Sequence, residues 1–197
     1  DVLRYVLCAN APENKDNDFT WKDFQAKNNN ELVAILGNFI NRVFVLCYKY
    51  WEGEIPSRHD LEEIDKEILE RIQTAPAEVG SYIEQYKFRF AIQSFMDLAR
   101  AGNKYLADTE PWKLFKTDDG KQRTETILNI SVQLIATLSI LCEPFMPFTT
   151  NKLNNLLGLD SSTWEEAGNI NKVSAKHILS KPYLLFRKIE DEEIENQ

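Results

Sequence analysis

The sequence is poor in residues that staple, break or arm a chain. It has 197 residues but only three cysteines, two histidines, seven glycines and seven prolines. Cys8, Cys47 and Cys142 are odd in number, widely spaced and set in apolar surroundings. That pattern excludes a disulfide framework and a C-x-x-C zinc pair, and it fits buried thiols in a reducing, cytoplasmic compartment. His59 and His177 are each isolated from cysteine and from one another, so the spacing pairs no base with a nucleophile. Both read as solvated loop residues. No G-x-G-x-x-G, G-x-x-x-x-G-K or H-E-x-x-H string occurs. The carboxylates Glu62, Glu63, Asp65, Glu67 and Glu70, with Lys66 and Arg71 among them, read as a solvated helix face and not as a metal site. The chain therefore offers no catalytic residue and no metal ligand set of its own.

Long apolar runs are also scarce. The most apolar stretch, Ile127–Cys142, has 16 residues and carries Asn129, Ser131, Gln133 and Thr137. A membrane span needs about 20 mostly apolar residues, so none is expected. The Asn129-Ile130-Ser131 sequon inside it reads as accidental. The opening residues, with Asp1 and Arg4, lack the pattern of a signal peptide. A chain that starts without Met is expected to be a piece of something longer.

What the chain has in quantity is helical periodicity. From Glu31 to Trp51 apolar residues recur at three- and four-residue steps and draw one broad stripe. Asn28, Asn29 and Asn30 just upstream are weak helix formers placed in its first turns or near its cap. Asp60–Gln85 repeats the pattern with Asp60 as the expected N-cap, and Pro76 should kink or break it. Phe88–Leu106 follows, then Glu110-Pro111-Trp112, a short helical piece and the charged loop Thr117–Arg123. Thr124–Cys142 is apolar on most faces and should be the most buried helix. Thr149–Leu157 is the last short helix. Val2–Cys8 reads as a helical lead-in followed by a linker rich in Asn and Asp, and Ile189–Gln197 as a solvated acidic tail. Alternating strand patterns are nearly absent. Five or so helices with short connections make an all-α, antiparallel helical bundle.

The formal charge of −8 argues at first against nucleic acid. The charge is unevenly placed, however. Glu52–Glu70 holds 8 acids and 2 bases, and Glu190–Gln197 holds 5 acids and no base, whereas Lys87–Arg123 has 8 bases and 5 acids. A locally basic face on an acidic protein is therefore expected.

Two features stand out. Asn38 and Arg42 are one turn apart on the Glu31–Trp51 helix, and Lys49 falls two turns beyond Arg42 on the same side. Amide and guanidinium groups can read base edges and a Lys can neutralise phosphate. By spacing alone, an ordinary solvated face explains the row more economically. Trp112 follows Pro111 at a helix break, with Lys113 and Lys116 beside it. It could stack on an unpaired base, or simply fill a gap between helices.

At these residues the sequence resembles a known family. The string DVLRYVLCANAPENKDNDFTWKDFQAKNNNELVAILGNFINR resembles the segment joining the catalytic half of methionyl-tRNA synthetases to their helical anticodon-binding domain. GNKYLADTEPWKLFK resembles the family's signature around its anticodon-stacking tryptophan, and SAKHILSKPYLLFRKIEDEE resembles the segment that ends the domain. The resemblance implies a bundle of the class Ia aminoacyl-tRNA synthetase anticodon-binding type. It implies a linker and end of the stem-contact region over 1–25, the bundle over 26–160, and an irregular segment over 161–197 that packs back and ends in the acidic tail. The implied function is recognition of the CAU anticodon. Asn38 and Arg42 would meet its bases and Trp112 would stack on the first of them; Lys49 matches less well, and Asn103 would support the surface or only cap and pack. The implied partners are the tRNA-Met anticodon stem-loop and the rest of the synthetase chain, with no DNA and no membrane. The whole enzyme would be a class I ligase charging tRNA with methionine. Its ATP, Mg²⁺ and, in some members, structural Zn²⁺ would belong to the catalytic half. The HIGH-type and KMSKS-type motifs of that half are absent here, so this chain needs no cofactor and should be inactive alone. The alternative is a helical protein-interaction or scaffold module, whose surface around Asn38, Arg42 and Trp112 would be apolar instead of cationic.

Overall fold

The computed structural model describes residues 1–13, 16–117 and 119–195. Asn14 and Lys15 of the expected linker, Asp118 of the charged loop, and Asn196 and Gln197 of the tail lie outside the described residues. The helices are α1 (Val2–Ala9), α2 (Trp21–Lys27), a π-helical segment (Asn28–Gly37), α3 (Asn38–Trp51), α4 (Glu63–Glu84), α5 (Phe88–Thr109), α6 (Pro111–Leu114), α7 (Gly120–Cys142), α8 (Pro147–Leu157) and α9 (Asp191–Glu195). Among the described residues there is no β-strand beyond one isolated bridge, Glu54 to Ile178. The architecture is all-α.

Helix α7 is the axis of the bundle, buried throughout from Thr126 to Cys142 and packed by α3, α4, α5, α6 and α8. Its polar residues are the ones that hold irregular backbone. Gln133 donates to the Val173 carbonyl at 2.8 Å and accepts from the Val173 N–H at 3.0 Å. Asn129 donates to the Pro56 carbonyl at 2.8 Å, which accounts for an asparagine inside the most apolar helix. By length and composition alone, Gly120–Cys142 and the continuous helical stretch Trp21–Trp51 could each cross a membrane. In the first, 94% of the most apolar window is buried inside the bundle, so its apolarity is that of a core helix.

Three sequence expectations are corrected at α4. The N-cap is Glu62, not Asp60, because Asp65 accepts the Glu62 N–H at 2.9 Å and completes a capping box. Asp65 is fully buried, not part of a solvated face. Arg123 of α7 forks onto it at 2.6 and 2.9 Å, and Tyr105 of α5 donates to it at 2.5 Å, so one carboxylate ties three helices. Burial, and then the bond to Asp65, push the Tyr105 hydroxyl well above its ordinary pKa. Finally, α4 runs unbroken through Pro76. The carbonyl that Pro76 cannot serve, that of Ile72, is covered by Gly168, whose φ of +81° and missing Cβ allow the close approach.

The first long helix also starts earlier than its periodicity suggests. Thr20 caps α2 by accepting the Asp23 N–H at 3.1 Å, and the helical path then continues to Trp51. The weak helix formers are repaid by tertiary bonds. Asn28 donates to the Arg187 carbonyl at 2.9 Å, and Asn29 exchanges two bonds with Ile189 at 2.8 and 3.0 Å. These bonds hold the C-terminal segment along the helix. Farther back, that segment is fixed by Leu179 N–H to Gly53 O and Ile55 N–H to His177 O, both 2.9 Å. Neither histidine is simply solvated: the His177 ring meets the Leu157 carbonyl at 2.7 Å, and His59 pairs with Glu125 and Gln122.

Candidate nucleic-acid interface

At about 100° per residue, Asn41, Val45, Asn38, Lys49 and Arg42 fall in that order across one narrow stripe of α3. Asn38, Val45 and Lys49 are exposed, whereas Asn41 and Arg42 are half-buried at its two edges. The opposite side of α3, with Phe39, Val43, Phe44 and Cys47, is in the core.

Trp112 is brought to the Arg42 edge by a sharp turn. Helix α5 ends at Glu110 in the left-handed conformation (φ 43°), and Pro111 starts α6 in a position where its missing N–H costs nothing. Pro111 is buried, and Trp112, the next residue, is left half-buried. The Arg42 guanidinium lies over its indole, 4.9 Å from the ring centroid. A second contact fixes α6 along α3: Tyr50 stacks on Phe115 at 3.8 Å, with Trp51 edge-on to the same ring at 5.3 Å. Lys49 leans over Tyr50 at 5.4 Å and stands about 10 Å along the axis from Arg42, while Asn38 stands about 6 Å on the other side. Arg42 and Trp112, 70 positions apart in sequence, are thus brought into a cation–π contact.

Asn103 is placed differently. Its amide donates to the Ile35 carbonyl at 2.9 Å and the Ala99 carbonyl at 3.3 Å. It therefore braces the π-helical segment one turn before Asn38, and its donor is not directed at the Arg42–Trp112 surface. Lys113 pairs with Glu110 at 2.7 Å, so one of the two cations beside Trp112 is partly neutralised. Lys116 is exposed.

Sequence reasoning missed the other bank of the stripe. Beside Asn38 and Asn41 runs a groove of about 290 Å³, closed on its outer side by Leu184, Leu185 and Phe186 of the C-terminal segment. Nothing local in the sequence marks it, because its floor and its wall come from opposite ends of the chain. A larger cavity of about 440 Å³, between α1, α2 and the C-terminal segment, contains none of the five residues singled out above. Elsewhere the side chains are chemically quiet. Burial pushes the Cys47 and Cys142 thiols up to about 12, which keeps both protonated. Among the described residues no three His, Cys, Asp or Glu are grouped to hold a metal ion.

Comparison with known proteins gives this surface a context. The family described as the anticodon binding domain of methionyl tRNA ligase matches residues 55–197, and the class I tRNA synthetase family for methionine matches residues 1–44. The chain is 58% identical over all its 197 residues to a methionine–tRNA ligase of Bacteroides fragilis, and 55% identical to that of Phocaeicola vulgatus. It spans 29% of the length of each. The free-state methionyl-tRNA synthetase of Mycobacterium tuberculosis has the same fold, with a TM-score of 0.87 over 96% of this chain and 39% of that one at 20% identity.

Proposed function

The chain belongs to the methionyl-tRNA ligase family, and we propose that it recognises the CAU anticodon of tRNA-Met through Asn38, Arg42 and Trp112. The observation that carries this reading is the Arg42 guanidinium stacked on Trp112 with Asn38 one turn away. Sequence-specific RNA recognition targets splayed single-stranded loops, whose bases stack on aromatic rings and expose their Watson–Crick edges. An indole held from below by a guanidinium is a firm platform for the first such base. The amide of Asn38 and the N–H groups of Arg42 stand where its edge would fall, and Lys49 stands farther along for a phosphate. Asn103 acts through the Ile35 carbonyl to hold the Asn38 turn in place. A wrong base would bury these groups on binding and leave them unpaired, which is the basis of rejection.

Within the longer ligase, residues 1–25 would lead in from the catalytic part, 26–160 form the recognition bundle, and 161–197 strap it. That ligase would charge tRNA with methionine in the cytoplasm, with ATP and Mg²⁺ handled outside this chain. Titration of fluorescent anticodon stem-loops tests the reading. A CAU loop should bind more tightly than loops with a changed first base, and equal affinity for all would overturn it.

A further inference from the structure

The ten residues just before Asn38 do not follow an α-helical path. Asn28–Gly37 is π-helical, far longer than the single-turn π-bulges that interrupt ordinary helices, often at functional sites. At its end the Asn38 N–H is directed to the Val33 carbonyl, five residues back. Its buried positions, Asn28, Leu32 and Leu36, step by four, slower than the α period of 3.6. A π path closes each turn with about one residue more than an α path, and so turns roughly 80° per residue against 100°.

This difference decides where the base-reading side chains point. In an α-helix, residues seven apart share a face. Glu31 turns inward and accepts the hydroxyl of Tyr5, a fully buried residue of α1. On an α path Asn38, seven residues on, would turn inward with it. On the π path it emerges on nearly the opposite side, and it is exposed. Arg42, one α turn beyond, follows it.

We propose that the π-helical segment sets the outward angle of Asn38 and Arg42, and that Tyr5 and Glu31 are positioning residues for base recognition although neither lies on the exposed stripe. The proposal rests on the anticodon-loop reading above. Such an unusual path needs ties from outside, and it has them on three sides. Asn28 and Asn29 are bonded to the C-terminal segment, the Ile35 carbonyl accepts from Asn103 of α5, and Glu31 accepts from Tyr5. Burial, and then the charge of Glu31, push the Tyr5 hydroxyl well above its ordinary pKa, so it stays a donor. The last π turn closes over a residue without a side chain: a Cβ on Gly37 would stand 3.1 Å from the Leu32 carbonyl, again five residues back. The Tyr5–Glu31 bond thus fixes the angular origin, the π path supplies the rotation, and Asn103 holds the far end. Cutting the first tie lets the segment relax toward α geometry and swings Asn38 toward the bundle. Binding must then restore the π path.

The test uses the full chain and anticodon stem-loops read by fluorescence anisotropy, at a temperature where circular dichroism shows every variant folded. Tyr5→Phe removes the donor and Glu31→Ala the acceptor, whereas Glu31→Gln keeps an acceptor oxygen for the Tyr5 hydroxyl. We expect the first two to weaken binding of the CAU loop by about threefold to tenfold, at most the worth of the lost hydrogen bond. They should also narrow the ratio of affinities between the CAU loop and one with a changed first base. Glu31→Gln should bind like the unchanged chain. If Glu31→Gln loses as much as Glu31→Ala, the charge and not the bond is responsible, and the positioning proposal is wrong. It is wrong too if Tyr5→Phe and Glu31→Ala lower the melting temperature but leave affinity and ratio unchanged while Trp112→Ala weakens binding; the anticodon reading then stands. If Trp112→Ala also leaves binding unchanged, the anticodon reading fails and the positioning role falls with it. Should Tyr5→Phe not fold, the comparison of Glu31→Ala with Glu31→Gln decides.

Discussion

Gly102 of α5 faces the ring of Phe39 in α3 with no room for a methyl group: a Cβ there would lie 2.6 to 2.9 Å from three ring carbons. The residue after Gly102 is Asn103, bonded to Ile35, and the residue before Phe39 is Asn38. A tight contact between α3 and α5 thus sits directly beneath the proposed base-reading turn. Gly102→Ala should gain about 1 kcal/mol of helix propensity but lose ~1–3 kcal/mol to overpacking around a fully buried ring. The expected net result is a lower melting temperature and weaker RNA binding. An unchanged melting temperature would show that α3 can slide away without cost.

Trp112→Ala should weaken the CAU stem-loop by ~1–3 kcal/mol, the value of one stacked base, with only a small change in melting temperature. An equal loss on a scrambled loop would make the indole a packing residue.

Arg42 lies over the indole, and in the proposed reading it also meets a base edge. Arg42→Lys keeps a cation for the ring but loses the planar fork, so it should hold most of the stability and lose base discrimination. A cycle of Arg42→Ala with Trp112→Ala, in which each single change removes the contact, should show coupling of about 0.5–1 kcal/mol in thermal stability, the scale of a partly exposed cation–π contact. Additive effects would mean that the two side chains only lie near each other.

The Asn38/Arg42/Lys49 spacing is local, fixed by helix geometry, and was legible in the sequence. So was the burial of α7, because nearly every face of it is apolar. Asp65 was not legible: its neighbours in sequence are solvated acids, and its burial depends on Arg123, 58 residues away. Nor was the start of the first helix, since Asn28 and Asn29 are poor helix formers until the C-terminal segment supplies their partners. The left-handed turn at Glu110 and the groove under Leu184 are tertiary for the same reason. The Asp65 cluster yields its own test. Arg123→Met leaves a buried carboxylate without its ion partner and should cost about 3–5 kcal/mol, seen in urea unfolding.

Stability should fall in alkali for a defined reason. Burial holds the Cys47 thiol up to about 12, against 9.0 when exposed. The folded state therefore favours the proton, so the contribution of this group is intact below pH 9 and is lost progressively as pH rises toward 12. Cys47→Ala should flatten the decline of melting temperature over that window, even though it lowers the value at neutral pH. An unchanged slope would assign the alkaline loss to other buried groups raised in the same direction, Cys142, Tyr5 and Tyr105.

Salt provides the last test, because it separates the charge of the face from the charge of the chain. The protein is at −8 overall, yet the stripe and its banks present Arg42, Lys49, Lys116 and Lys188. If about three of these meet phosphates, the logarithm of affinity should fall with the logarithm of salt at a slope near −2, from about −0.7 per contact on single-stranded RNA. Lys49→Ala should reduce that slope by about 0.7 and weaken all loops alike, since a phosphate contact carries no base identity. Lys66→Ala, on the acidic α4, should leave the slope unchanged. A slope near zero, or one equally sensitive to both lysines, would mean that no localised basic face guides the RNA.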